Sequence, residues 1–192
     1  MKHLILIFLL LDFIGCDSAK IESTQTTRQG VTSTQKNDTS PAPDFEAQDF
    51  ISGNKIRLSQ FRGKPVVVNF WFAGCPPCRW EAPSFKKLAD NNPDIVVLSV
   101  TDPENNPGDS LQSFIKEFEW NFPVLLDRNG KITNSFDEEM AFPTTFLINS
   151  EGEVVGKIVN YLDWETAEMK DVLENLRNGK LRWYYRYLRR LK

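Results

Sequence analysis

Between residues 41 and 178, short continuous apolar runs alternate with segments whose apolar residues recur every three or four positions. Such alternation is the mark of an α/β domain, and no internal repeat interrupts it. Residues 66–72, Val-Val-Val-Asn-Phe-Trp-Phe, form an almost unbroken β-rich run. A central strand buried on both faces needs that composition. The spacing then predicts a helix over 76–89, a second buried strand over 95–100, and a helix over 110–118 with Leu111, Phe114, Ile115 and Phe118 on one face. A short strand at 123–126 ends at Asp127, and the Asn129-Gly130 turn leads on to Ile132. Residues 144–148 and 154–159, joined by Asn149-Ser150-Glu151-Gly152, read as a hairpin, and a last helix is predicted over 164–177. Asn178-Gly179 is a good helix stop.

The two ends follow different rules. A basic start, Met1-Lys2-His3, precedes an eight-residue apolar run from Leu4 to Leu11 and then Phe13-Ile14-Gly15-Cys16. The run is too short to span a bilayer, which takes about 20 apolar residues, and fits an export signal over 1–15. Cys16 after Gly resembles the lipobox of bacterial lipoproteins, which implies lipidation at Cys16; Phe13 and Asp12 depart from that pattern. Residues 16–40 are rich in Ser, Thr, Gln and Asn and carry too few apolar groups to offset ordering, so they read as a flexible tether. At the other end, residues 179–192 hold six basic side chains and no acidic one. Leu181, Tyr184, Tyr185, Leu188 and Leu191 fall at helical spacing there, which predicts a basic amphipathic helix. That helix would lie either on its own domain or on anionic lipid.

Composition narrows the chemistry. The chain has 192 residues, with 23 Lys and Arg against 26 Asp and Glu, so no overall positive field draws it to nucleic acid. Without the six basic residues of the tail, 17 basic residues stand against 26 acidic ones, a net charge of −9 for the rest. One His and three Cys cannot assemble a four-ligand structural zinc site, and no Gly-rich nucleotide motif is present. No metal or cofactor is expected, and the chain is read as a monomer. Chemistry is left to the thiols.

At the C-terminal end of the first central strand stands Cys75-Pro76-Pro77-Cys78. Ligands and reactions gather at that edge of open α/β sheets. A two-residue gap at a helix start brings both sulfurs onto one turn, close enough to bond. Cys75, at the helix N-terminus, is favoured as thiolate by unpaired N–H groups and the helix dipole, so it is the expected nucleophile. Cys78, one turn on and expected to be more shielded, is the resolving thiol. Neither Pro76 nor Pro77 has an N–H to offer the thiolate, which weakens the reduced form's advantage and favours a reductant.

Residues 69–83, Asn-Phe-Trp-Phe-Ala-Gly-Cys-Pro-Pro-Cys-Arg-Trp-Glu-Ala-Pro, resemble the active-site segment of the TlpA/ResA family of exported thiol-disulfide oxidoreductases. The likeness continues through Ala42-Pro43-Asp44-Phe45, Gly63-Lys64-Pro65-Val66, Phe122 to Asp127, and Phe142-Pro143-Thr144-Thr145-Phe146-Leu147-Ile148. It implies a thioredoxin-like fold: a central mixed sheet flanked by helices, with an N-terminal β-hairpin and an inserted helix. It further implies that Pro143 is a cis proline and that Phe142 offers backbone to a substrate strand, with Trp71, Gly74, Pro76, Pro77 and Thr144 completing the groove. Thioredoxin itself has a buried Asp where Asn69 stands, and an amide cannot take a proton. Glu81, three residues beyond Cys78 on the same helix face, is the candidate base, its pKa raised by partial burial. The competing reading is a surface Glu paired with Arg79 or Lys87. The family usually has Trp where Gly74 stands.

By resemblance, the partners are disulfide-containing exported proteins, with apocytochromes c as an example, and a membrane thiol transporter as electron donor. The setting would be a bacterial cell envelope, lipid-anchored to a membrane and facing the periplasm. Three rivals compete. A structural disulfide across so short a loop constrains little chain. A thiol peroxidase needs Thr three residues before the nucleophile and Pro four before that, where this chain has Phe72 and Val68. A non-catalytic binding module would keep partner affinity after Cys75→Ala.

Overall fold

The structure is a computed structural model, and it describes residues 39–106, 108–182 and 184–187. The expected signal over 1–15, Cys16 and nearly all of the tether lie outside the described residues. Strand β1 (Ser40–Pro41) is followed by the hairpin of β2 (Glu46–Asp49) and β3 (Lys55–Arg57), a 3-10 turn, and β4 (Val66–Phe70). Then come α1 (Pro76–Asn91), β5 (Val96–Thr101), α2 (Gly108–Glu117), β6 (Val124–Leu126) and α3 (Lys131–Phe136). The chain closes with β7 (Thr144–Ile148), β8 (Glu153–Val159), α4 (Ala167–Arg177) and β9 (Tyr184–Tyr187). The sheet order is β1-β8-β7-β4-β5-β6-β2-β3, with β9 also on β8. Strands β4, β5 and β6 are parallel; β7 runs antiparallel to β4, and β2 antiparallel to β6. This is the thioredoxin-like mixed sheet expected, with its N-terminal hairpin.

All five residues of β4 are buried, and the pleat sends them to two cores. Val67 joins residues of α1, α2 and α4, among them Phe85, Leu88, Phe114 and Leu173. Val66, Val68 and Phe70 join Phe146, Leu125 and Ile132 of α3 on the opposite face. Each such apolar side chain contributes about 1.5–3 kcal/mol on burial, so the strand that leads into the cysteine pair is held from both sides.

Several boundaries differ from the sequence-based expectation for local reasons. The central strand leaves the sheet after Phe70, because the chain turns there and the Cys75 N–H donates to the Phe72 carbonyl at 3.1 Å. The last helix starts at Ala167 rather than 164, since the Thr166 hydroxyl caps it by accepting from the Met169 N–H. The apolar pattern did not reveal α3. The Asp127 carboxylate starts it, accepting from the Ile132 and Thr133 N–H groups at 2.8 Å each.

The tail is corrected more substantially. Over 184–187 it is not helix but strand β9, parallel to β8 in the register Gly156↔Tyr184 to Val159↔Tyr187. Strand β1 pairs only with Glu153 and Val154, which leaves the rest of that β8 edge free. Tyr-Tyr-Arg-Tyr has the β propensity to occupy it. Gly156 permits the approach, as a Cβ there would lie 3.1 Å from the Tyr184 carbonyl oxygen and 3.0 Å from Leu147 Cδ1. The Tyr184 hydroxyl donates to Glu168 Oε1 at 2.7 Å, fixing the strand to α4. Among the described residues no helix is long and apolar enough to cross a membrane.

Candidate functional site

Cys75 and Cys78 are joined in a disulfide, with Cα atoms 5.2 Å apart. Cys75 is the N-cap of α1 in extended conformation, Pro76 and Pro77 take the first helical positions, and the Cys78 N–H donates to Cys75 Sγ at 3.2 Å. Proline suits those positions because its missing N–H would be unpaired there anyway. The two prolines remove two donors, yet the third helical N–H still faces the sulfur. Cys78 was expected to be the more shielded thiol. In the disulfide form the two are equally buried, at 3% exposed each.

The loop before Cys75 is clamped from below. The Thr101 hydroxyl donates to the Trp71 carbonyl at 2.7 Å, and the Trp71 indole N–H reaches Ser99 Oγ. Buried Asn106 accepts from the Ala73 N–H and donates to Thr101 Oγ1 and to the Asp102 carbonyl. Sequence reasoning missed Asn106, which no apolar periodicity marks. In strand register Phe70 faces Thr144, so the loop after β4 and the loop before β7 emerge together at one sheet edge. There the Phe142–Pro143 peptide bond is cis, as expected, and the Phe72 and Phe142 rings meet edge to face at 5.5 Å.

Of the expected groove residues, Gly74 and Pro76 are exposed, while Pro77 and Phe142 are half-buried. Two are corrected. Trp71 is buried against Phe114 and Trp120, and Thr144 is buried with its hydroxyl donating to the Ala141 carbonyl at 2.7 Å, so neither side chain faces a substrate. Trp71, just past the end of β4, is held inward by its indole N–H on Ser99 and by the Phe114 and Trp120 rings, and Thr144, the first residue of β7, by its bond to Ala141. A Cβ at Gly74 would meet only the Phe72 ring, at 3.8 Å, so the missing Trp leaves this lip open.

Glu81 is fully buried rather than partly so, at 3% exposure. The surface pairing is not seen: Arg79 binds both Glu117 carboxylate oxygens instead, at 2.6 and 2.7 Å. Glu81 Oε1 accepts from the Trp164 indole N–H at 2.7 Å, and the Asn69 amide also hydrogen-bonds its carboxyl. Asn69 Nδ2 donates on to Thr145 Oγ1 at 2.9 Å. Burial pushes the Glu81 pKa up to about 8, and the two hydrogen bonds offset only part of that. Trp164 was expected only as the start of a helix; a buried carboxyl's need for a donor was the signal that could have marked it. Among the described residues no group of three or more His, Cys, Asp or Glu side chains converges to hold a metal.

The model of the AhpC/TSA family matches residues 39–157. Thiol-disulfide oxidoreductase ResA of Bacillus subtilis is 37% identical over 120 residues, covering 60% of this chain and 64% of that protein. The ResA of Geobacillus kaustophilus is 35% identical over 133 residues, covering 67% and 73%. Among solved structures, StoA of Bacillus subtilis superposes with a TM-score of 0.58 at 26% identity, covering 68% of this chain and 96% of that one. A secreted Mycobacterium tuberculosis disulfide oxidoreductase homologous to E. coli DsbE gives a TM-score of 0.52 at 28% identity, covering 57% and 79%.

Proposed function

The chain belongs to the AhpC/TSA family, among relatives that are thiol-disulfide oxidoreductases, and from that premise we propose that it reduces disulfides of exported proteins through Cys75 and Cys78. The observation that carries this reading is the Cys75–Cys78 pair at the start of α1 with a buried Glu81 one turn beyond. The Cys75 thiolate attacks one client sulfur, forming a mixed disulfide and releasing the other client sulfur as a thiolate. Cys78 then attacks Cys75 Sγ, closing the intramolecular disulfide and releasing the second client thiol. Two electrons pass to the client.

Glu81 handles the proton of the second step. The ionised fraction of Glu81, a minority at pH 7 given its pKa of about 8 in the disulfide form, accepts the Cys78 proton when Cys78 attacks, and burial then holds that proton on it. Re-reduction runs backwards, with Glu81 returning the proton to the departing Cys78. The double proline favours the reducing direction, and a membrane thiol transporter would restore the dithiol. Export, lipid attachment at Cys16 and a station facing the periplasm rest on the signal-like first 15 residues and on the secreted relative. Apocytochromes c are one client class.

The test is covalent trapping in cells with Cys78→Ala, which cannot resolve the mixed disulfide. Recovery of exported proteins linked through Cys75, absent with Cys75→Ala, is the expected result. Recovery of none sinks the reading, as does a purified protein whose cysteine pair never interconverts across glutathione potentials.

A further inference from the structure

Among the described residues three large apolar side chains are exposed: Ile51, Trp80 at 67% and Tyr161 at 37%. Two of them touch. The Trp80 and Tyr161 rings meet edge to face with centroids 6.4 Å apart. Trp80 lies four residues after Pro76 and three after Pro77 on α1, so the three share one helix face. Pro76 is exposed and Pro77 half-buried, which makes that face an apolar strip starting at the disulfide.

Tyr161 reaches the strip from the other side of the site. The Asn160 N–H donates to the Pro143 carbonyl at 2.7 Å. Asn160 takes a φ of 75°, in the left-handed region that Asn tolerates, and its Oδ1 accepts from the Tyr161 N–H at 2.8 Å. The cis-proline segment thus sets the tyrosine's position. Ser84 stands between the two sides, its single O–H shared between the Glu81 carbonyl at 3.0 Å and the Leu162 carbonyl at 3.4 Å. Beyond Tyr161 the rim carries Asp163 and Glu165, and residues 158–169 include no Lys or Arg. The nearest basic side chain on α1, Arg79, is held by Glu117 over the Phe114 and Phe118 rings.

We propose that Trp80 and Tyr161, with Pro76 and Pro77, form a docking surface for an extended client segment bearing a bulky apolar residue and a basic residue close to its reacting cysteine. The spacing follows from reach. Trp80 is five residues from Cys75, about 7–8 Å along a helix. An extended chain rises about 3.3 Å per residue, so the apolar side chain belongs two or three positions from the client cysteine. The carboxylates beyond Tyr161 select the basic neighbour and disfavour an acidic one. This inference rests on the exchange reaction proposed above.

The experiment uses two single-cysteine peptides, each as its disulfide-linked dimer, identical except for Trp-Lys or Ser-Glu at the second and third positions after Cys. Dithiothreitol-reduced protein, freed of reductant, is mixed with each, and the second-order rate of thiol release is measured. Wild type should prefer the Trp-Lys peptide by about ten-fold, equivalent to about 1.4 kcal/mol. The ratio should fall towards one in Trp80→Ser and Tyr161→Ser. It should hold in Ile51→Ser, whose residue follows β2, three strands across the sheet from β4. Equal rates on both peptides in wild type, or an unchanged ratio in both aromatic variants, overturn the docking surface alone. Failure of wild type to reduce either peptide overturns the exchange reading and this surface with it.

Discussion

Replacing Glu81 by Gln tests the proton chemistry through stability as well as rate. In the folded disulfide form burial holds the carboxyl pKa at about 8, against 4.5 for the unperturbed group. Below pH 4.5 both folded and unfolded chains carry the proton, and burial costs nothing. Between 4.5 and 8 the unfolded chain ionises while the folded one stays protonated. Stability therefore falls as pH rises, by about 1.4 kcal/mol per unit. Above 8 both are ionised and the loss levels off. The gap of 3.5 units corresponds to about 5 kcal/mol, a large share of the roughly 5–15 kcal/mol by which domains are stable.

Gln presents a carbonyl oxygen to the Trp164 N–H as the neutral acid does, but cannot ionise. Urea unfolding of oxidised wild type and Glu81→Gln from pH 5 to 9 should give converging stabilities at pH 5. By pH 9 the variant should be the more stable by up to about 5 kcal/mol. Carboxylates whose pKa is lowered by ion pairs, such as Asp94 and Asp137, act in the opposite sense, but only below about pH 4. Their contribution cancels between the two proteins. The same substitution should slow resolution of a mixed disulfide at pH 7 by about 10²-fold, the low end for a lost general base. Parallel stability curves, or an unchanged resolution rate, would refute the reasoning.

Two further substitutions probe the supports of the site. Trp164→Phe removes a hydrogen bond that lowers the Glu81 pKa, so the pKa should climb above about 8 and the falling limb of the stability curve extend to higher pH, as the same urea series would report. Asn106→Ala leaves the Ala73 N–H without its acceptor, which should cost about 1–3 kcal/mol and speed hydrogen exchange at the Ala73 amide while the β4 amides stay protected.

Much of this site was legible in the residues themselves. The run at 66–72 read as a two-faced strand, which the structure ends at Phe70, and the cysteine spacing with two prolines placed a helix start after it. Glu81 followed from Asn69: if the strand offers no acid, the helix must. What stayed hidden depends on long-range partners. Trp71 and Thr144 adjoin the groove in sequence but turn inward, a choice made by Ser99, Phe114 and Ala141. The tail carries both periods at once, since Tyr184 and Tyr185 fall at helical spacing with Leu181 and Leu188, while Tyr185 and Tyr187 fall at the two-residue spacing of a strand face. The vacant edge of β8 decided between them, and no local pattern announces a vacant edge.

Asn69 and Glu81 are best understood as one decision. The amide at 69 hydrogen-bonds the carboxyl at 81, and its Nδ2 also reaches Thr145. With Asp at 69, two acids would share the pocket and compete for protons, raising one pKa further. Asn removes that competition and contributes a donor that stabilises the ionised Glu, holding its pKa near 8 rather than higher. Moving the acid onto α1 also ties it to Cys78, three residues away on the same rigid turn. The distance a proton travels is then set by helix geometry instead of by how the helix sits on the sheet. A change at the open lip of Gly74 can thus alter which client reaches Cys75 without disturbing the proton transfer behind it.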